Sequence, residues 1–133
     1  MKNFSHTIKV YYEDTDAGGV VYYANYLKFM ERARSDALKS LGFTNKLLIE
    51  EDGIFIVVKS CNINYFKSAS LEDILEIKSI IKKITKTSFF MKQKVFKGSD
   101  QITEAEIHLV TVDIKGKPVK IPERLKEELK KLI

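Results

Sequence analysis

The spacing of hydrophobic residues along the chain changes period twice. Thr7 to Tyr12 is β-branched and aromatic and predicts a first strand. From about Ala24 to Leu41 the pattern becomes helical. Tyr26, Leu27, Met30, Ala33, Ala37, Leu38 and Leu41 recur at i, i+3, i+4 spacing, while Lys28, Glu31, Arg32, Ser35, Asp36 and Lys39 take the other face. Glu31 with Arg34, and Arg32 with Asp36, are spaced to pair on that surface, at about 0.2–0.5 kcal/mol each. Gly42 stands where a helix ends on a left-handed residue. Two-residue alternation then returns. Ile54 to Tyr65 predicts a long strand, and further strands follow around Leu75–Ile81, Phe89–Val95 and Ala105–Thr111. Turns are expected at Gly98-Ser99-Asp100 and Asp113–Pro118, and Pro122 opens a short charged helix over Glu123–Lys131. Strands joined by short links pair antiparallel. One amphipathic helix against one antiparallel sheet is an α+β domain, with the sheet curved around the helix.

A chain of 133 residues is the size of one domain, expected to span 1–133, and needs no disulfide or metal to fold. Cys61 is the single cysteine, which excludes an intrachain disulfide and fits a reducing, cytoplasmic setting; its alternating apolar surroundings predict a buried position. No secretory leader is visible, and the apolar run Ile54–Val58 is far too short for membrane insertion. The net charge of +5 comes almost wholly from dispersed lysines, with arginine only at 32, 34 and 124. Nucleic-acid readers lean on clustered arginine, so no nucleic-acid partner is expected.

The densest polar cluster, Asp14-Thr15-Asp16-Ala17-Gly18-Gly19, falls between the first strand and the helix. A helix start exposes unpaired N–H groups and carries about half a positive charge. Paired glycines let a ligand approach the backbone. A carbonyl held there is polarised, and the Asp16 carboxylate can attack it or activate water. A thiol leaving group, with a pKa of about 8.5, departs without a proton donor. A thioester is therefore the carbonyl substrate this set suits, and each oxyanion donor is worth about 10²–10³ in rate. On the residues alone, helix capping or a turn is an equal reading of the same acids. No G-x-S-x-G or H-E-x-x-H motif occurs, His6 and His108 lie in separate strand patterns, and no EF-hand ligands follow Asp16. Neither metal nor cofactor is expected.

The run Tyr11 to Tyr26, continued by Glu31-Arg32-Ala33-Arg34, closely resembles the 4-hydroxybenzoyl-CoA thioesterase family, in particular its Tol–Pal-associated acyl-CoA thioesterase subgroup. Tyr65, Asp73, Leu75, Thr87-Ser88-Phe89 and Gly116-Lys117-Pro118 extend the likeness over most of the chain. The resemblance implies a hotdog fold, an acyl-CoA substrate, and homodimers joined sheet edge to sheet edge and paired into homotetramers. It implies active sites fed by both subunits. It assigns the catalytic carboxylate to Asp16 and the carbonyl-polarising N–H to Tyr23. Gly18 and Gly19 permit close approach, and Val20, Tyr22, Asn25 and Tyr26 shape the acyl pocket or its entry. By position, coenzyme A contacts fall to Val58, Lys59, Ser60, Lys86, Thr87 and Ser88. An acyl carrier protein is the alternative thioester carrier, and a non-catalytic acyl- or partner-binding module the alternative class. The subgroup commonly carries histidine where this chain has Tyr23, and proline where it has Ser68.

Overall fold

The computed structural model describes residues 3–133. It is a five-stranded sheet with one 16-residue helix laid on its inner face. Strand β1 (Phe4–Lys9) is followed by α1 (Asn25–Ser40), a short α2 (Asn45–Leu47) that runs into a π-helical turn (Leu48–Asp52), β2 (Phe55–Tyr65), β3 (Ile74–Ile84), β4 (Ser88–Lys97), β5 (Asp100–Val112) and α3 (Glu123–Leu129). The order across the sheet is β1-β3-β4-β5-β2, and every pairing is antiparallel. Short links pair β3, β4 and β5 in succession. β2 departs from the succession rule: it crosses to the far edge and pairs with β5 alone.

Alternation on β4 explains how the helix is held. Phe89, Met91, Gln93 and Val95 point inward and are buried, against Phe29, Met30, Ala33 and Ala37 of α1 in one continuous core. Gln93, fully buried, donates to the Met30 carbonyl at 3.0 Å and to Ser79 Oγ at 3.0 Å, and accepts from Arg34 at 3.0 Å. This satisfied polar group fixes the position of α1 along the strand. On the outer face, Lys92 and Lys94 ladder with Glu104 and Glu106. That is the solvated strand face expected of dispersed lysines. With the α+β layering and the helix inside the sheet, the fold is the hotdog arrangement.

Several expectations shift. The first strand is Phe4–Lys9 rather than Thr7–Tyr12: Asp14 Oδ2 accepts the Tyr11 N–H at 2.9 Å and bends the chain into a 3₁₀ turn at Tyr12–Asp14. Leu27 is exposed and Phe29 takes its place inside. The helix-surface pairs do not form: Arg34 turns inward to Gln93, Glu31 accepts from the Ser35 hydroxyl, and Asp36 reaches His6 Nδ1 at 2.9 Å. Cys61 is exposed, because edge strand β2 has no element of its own chain beyond it.

Candidate functional site

The acidic loop is built as a compact strap ahead of α1. Asp14 is buried, and its carbonyl accepts both the Tyr22 N–H at 2.9 Å and Asn25 Nδ2 at 2.9 Å. Asn25, buried in the first turn of α1, therefore ties the loop to the helix. Thr15 bridges Val21, Val20 bridges Ser70, and the Val21 N–H donates to the Ala69 carbonyl at 2.8 Å. Between these anchors Asp16 projects from an exposed bend, its Oδ1 accepting the Gly18 N–H at 2.8 Å. A Cβ at Gly18 would stand 3.2 Å from that oxygen, and Gly19 sits at φ +81°, where side chains are strained. Gly19 is thus required by the backbone of the turn that presents Asp16, while a side chain at Gly18 would crowd the Asp16 carboxylate.

The helix start follows directly. The Asn25, Tyr26 and Leu27 N–H groups already turn back onto Tyr22, Tyr23 and Ala24. Among the described residues, the N–H groups of Tyr23 and Ala24 donate to no protein acceptor. Both sit at the electropositive end of a 16-residue helix. Tyr22 and Tyr23 are exposed, while Tyr26 is buried and packs edge-on against Phe29. Burial raises the Tyr26 phenol pKa. An open groove of about 300 Å³ lies here, lined by Val21, Tyr23, Tyr26, Tyr65, Phe66 and Lys67 with Ser68. In the sequence Tyr65 reads as the end of a strand and as part of the family likeness, with no place assigned to it in the site. Nothing in its spacing signals that the end of β2 folds against the helix start.

The remaining candidates sit elsewhere. Val58, Lys59 and Ser60 are exposed on β2, and the register slips between Val58 and Ser60, so Lys59 occupies a bulge. Across β5, Val58 is level with Leu109 and then Phe89, next to Ser88. Lys86, exposed, and Thr87 form the β3–β4 turn, where the Thr87 carbonyl accepts from Thr111. The Ser88 hydroxyl is buried and bonded to Thr85 at 2.7 Å. One chain thus holds two separate groups, the Asp16–Tyr26 loop at the Tyr65 end of β2 and the Val58/Ser88 group toward its other end. They lie roughly 23 Å apart at the ~3.3 Å rise of a strand. Beside the second group a cavity of about 170 Å³ opens under α1. Its walls are mainly apolar, including Ala37, Leu38, Val58, Leu109 and Leu132, with Glu31 and Arg34 as its charged members.

Neither histidine joins these groups. His6 pairs with Asp36, and His108 stacks on Phe90 at 3.9 Å on the outer face, where burial and then Lys59 lower its pKa. No cluster of His, Cys, Asp and Glu suited to a metal occurs among the described residues. No helix among them is long and apolar enough to cross a membrane.

Known proteins resemble the chain in sequence and in fold. The thioesterase superfamily profile matches residues 18–104. The acyl-CoA thioesterase YbgC of Haemophilus influenzae is 40% identical over 124 residues, covering 92% of this chain and 91% of the relative. The acyl-CoA thioester hydrolase YbgC of Escherichia coli O6:H1 is 40% identical over 129 residues, covering 96% of each. Among solved structures, a DHNA-CoA thioesterase from Staphylococcus aureus superposes with a TM-score of 0.90 at 26% identity, over 98% of this chain and 91% of that one. With its fold and these matches in agreement, the chain belongs to the thioesterase superfamily.

Proposed function

We propose that the protein hydrolyses acyl-CoA thioesters to a carboxylate and free coenzyme A, at a site completed by two copies of the chain. The observation that carries this reading is the helix start. Two N–H groups there, Tyr23 and Ala24, have no protein acceptor, and the loop strapped to them presents an exposed carboxylate at Asp16. A thioester carbonyl bound at these donors gains stabilisation as negative charge develops on its oxygen. Asp16 then supplies the attack, as nucleophile through a mixed anhydride or as base to water. The coenzyme A thiolate leaves unassisted, so the absence of a histidine or other acid from this group costs the reaction nothing.

Pairing supports the two-copy site. β2 is an edge strand whose exposed residues include Val57, Val58, Cys61 and Tyr65. A second copy adding antiparallel to this edge sets the Tyr65 end of one β2 against the Val58 end of the other. The Asp16 loop of one protomer then meets the Val58–Ser60 and Lys86–Ser88 group of its partner. Lys59 and Lys86, both exposed, suit the phosphates of coenzyme A. The acyl group enters the cavity under α1. An engineered cavity of about 150 Å³ holds benzene, so about 170 Å³ suits an acyl tail of about six carbons or a single ring. The single exposed thiol and the substrate both fit a reducing, cytoplasmic setting.

Thiol release from a panel of acyl-CoA thioesters tests the assignment. Hydrolysis by the wild type, abolished in a folded Asp16→Asn variant, is the expected result. Near-normal turnover by that variant overturns the role of Asp16, and a wild type inert toward the whole panel overturns the activity. A mixture of Asp16→Asn and Val58→Asp protomers, each inactive alone, should recover activity through heterodimers carrying one intact site.

A further inference from the structure

The end of β2 reaches the helix start through a single side chain. Tyr65 is the last residue of β2, and its hydroxyl donates to the Tyr23 carbonyl at 3.3 Å. Its ring stands edge-on to that of Tyr23, with centroids 5.9 Å apart at 88°, and lies 5.7 Å from the buried ring of Tyr26. The same carbonyl also accepts the Tyr26 N–H, through a long bond of 3.4 Å. The peptide leading into the helix cap is therefore held by a side chain from another element as well as by that backbone bond.

That peptide joins Tyr23 to Ala24. Its carbonyl is the oxygen Tyr65 binds, and its N–H is the free donor of Ala24. A hydrogen bond at one end of an amide polarises the group at the other end and strengthens it as a donor. Fixing the peptide plane also limits rotation about Tyr23, whose own N–H is the neighbouring free donor. We infer that Tyr65 is a positioning residue for catalysis, aiming and polarising the pair of N–H groups that receive the thioester oxygen. The inference rests on the thioesterase reading above. It adds a residue whose hydroxyl acts through the Tyr23 carbonyl rather than on the reacting atoms. It also makes the donor geometry depend on β2, the strand offered to a second copy, so assembly and the oxyanion donors share one connection. Burial holds the Tyr65 phenol pKa above its ordinary value, which keeps the hydroxyl a donor at neutral and mildly alkaline pH.

Tyr65→Phe tests this, because it keeps the ring contacts and removes only the hydroxyl. The net worth of one hydrogen bond corresponds to a fall in kcat of roughly 3- to 10-fold. KM should stay within about twofold, with melting temperature and oligomeric state unchanged, and the Ala24 amide proton should move upfield in the NMR spectrum of the free protein. A merely structural role would lower stability and active fraction while leaving kcat per folded site and the Ala24 resonance in place. That result, or an unchanged kcat, overturns the inference. Should the wild type hydrolyse no acyl-CoA, the proposed function fails separately, and the amide resonances of Tyr23 and Ala24 decide the role of Tyr65 on their own.

Discussion

The two ends of β2 do different work. At the Tyr65 end the surroundings are polar and aromatic: a strapped loop, an exposed carboxylate, free N–H groups and an open groove. Toward the other end, Ile56 and Val58 border an apolar cavity beneath α1, and a bulge at Lys59 breaks the register. One end has an exposed carboxylate beside free N–H groups along an open groove; the other has a mainly apolar cavity beneath α1. In the proposed reading, the difference makes each end one half of a thioesterase site. The proposed antiparallel addition of a second copy at this edge would bring the two kinds of surface together.

The largest expected effect lies at the first end. Asp16→Asn should lower kcat by about 10²–10⁴-fold, measured as thiol release, while the melting temperature stays near wild type because Asp16 is exposed and its neighbours are anchored independently. Breaking the junction comes next. Cys61→Asp puts a charge in the middle of the exposed edge, and it should halve the mass measured by light scattering and reduce activity more than tenfold. If that variant stays dimeric and active, the two ends do not meet through β2.

Filling the cavity sharpens the comparison at the other end. Ala37 is buried in its wall, and Ala37→Leu should cut kcat/KM for hexanoyl-CoA while sparing acetyl-CoA. Each methylene excluded is worth about 0.8 kcal/mol, or roughly fourfold. An equal loss on both substrates would mean that the tail binds elsewhere.

The smallest effects come from two carboxylates that brace the two ends. Asp73 accepts the Ser70 N–H at 2.8 Å and pairs with Lys97 at 3.1 Å, so its pKa is lowered, first by the backbone bond. Asp52, just before β2, is lowered by its paired hydrogen bonds from Arg124. A depressed carboxylate pKa contributes stability that is complete above the ordinary value of about 4 and lost as pH falls through the folded value. Melting temperature should therefore decline below about pH 4, and Asp73→Asn and Asp52→Asn should each flatten that decline. An unaltered acid profile in both variants would remove the carboxylates from the account.

Much of the helix and loop was legible because their signals are local. The i, i+3, i+4 spacing from Tyr26 to Leu38 marks α1, and acids followed by paired glycines ahead of it mark a tight turn at a helix start. Where competition between local and distant partners decides, the sequence misleads. Arg34 is spaced to pair with Glu31, yet the buried Gln93 of β4 draws it inward. Thr7–Tyr12 reads as strand, yet after Val10, which still bonds Asp73 and Glu72, the Asp14 carboxylate accepts the Tyr11 N–H and turns the chain away. Cys61 alternates like a core residue, yet exposure depends on whether another strand lies beyond β2.

The order of amino acids by itself determined the periods, the turn chemistry and the presence of a carboxylate beside a helix start, since these depend on residues within a few positions of one another. Tertiary structure alone decided that β2 crosses to the open edge of the sheet, that Tyr65 arrives at the Tyr23 carbonyl, and that the acyl-sized cavity lies far from Asp16 within one protomer. Strand order and edge exposure follow from burying the whole sheet face at once, a collective energy that no short stretch of the chain encodes.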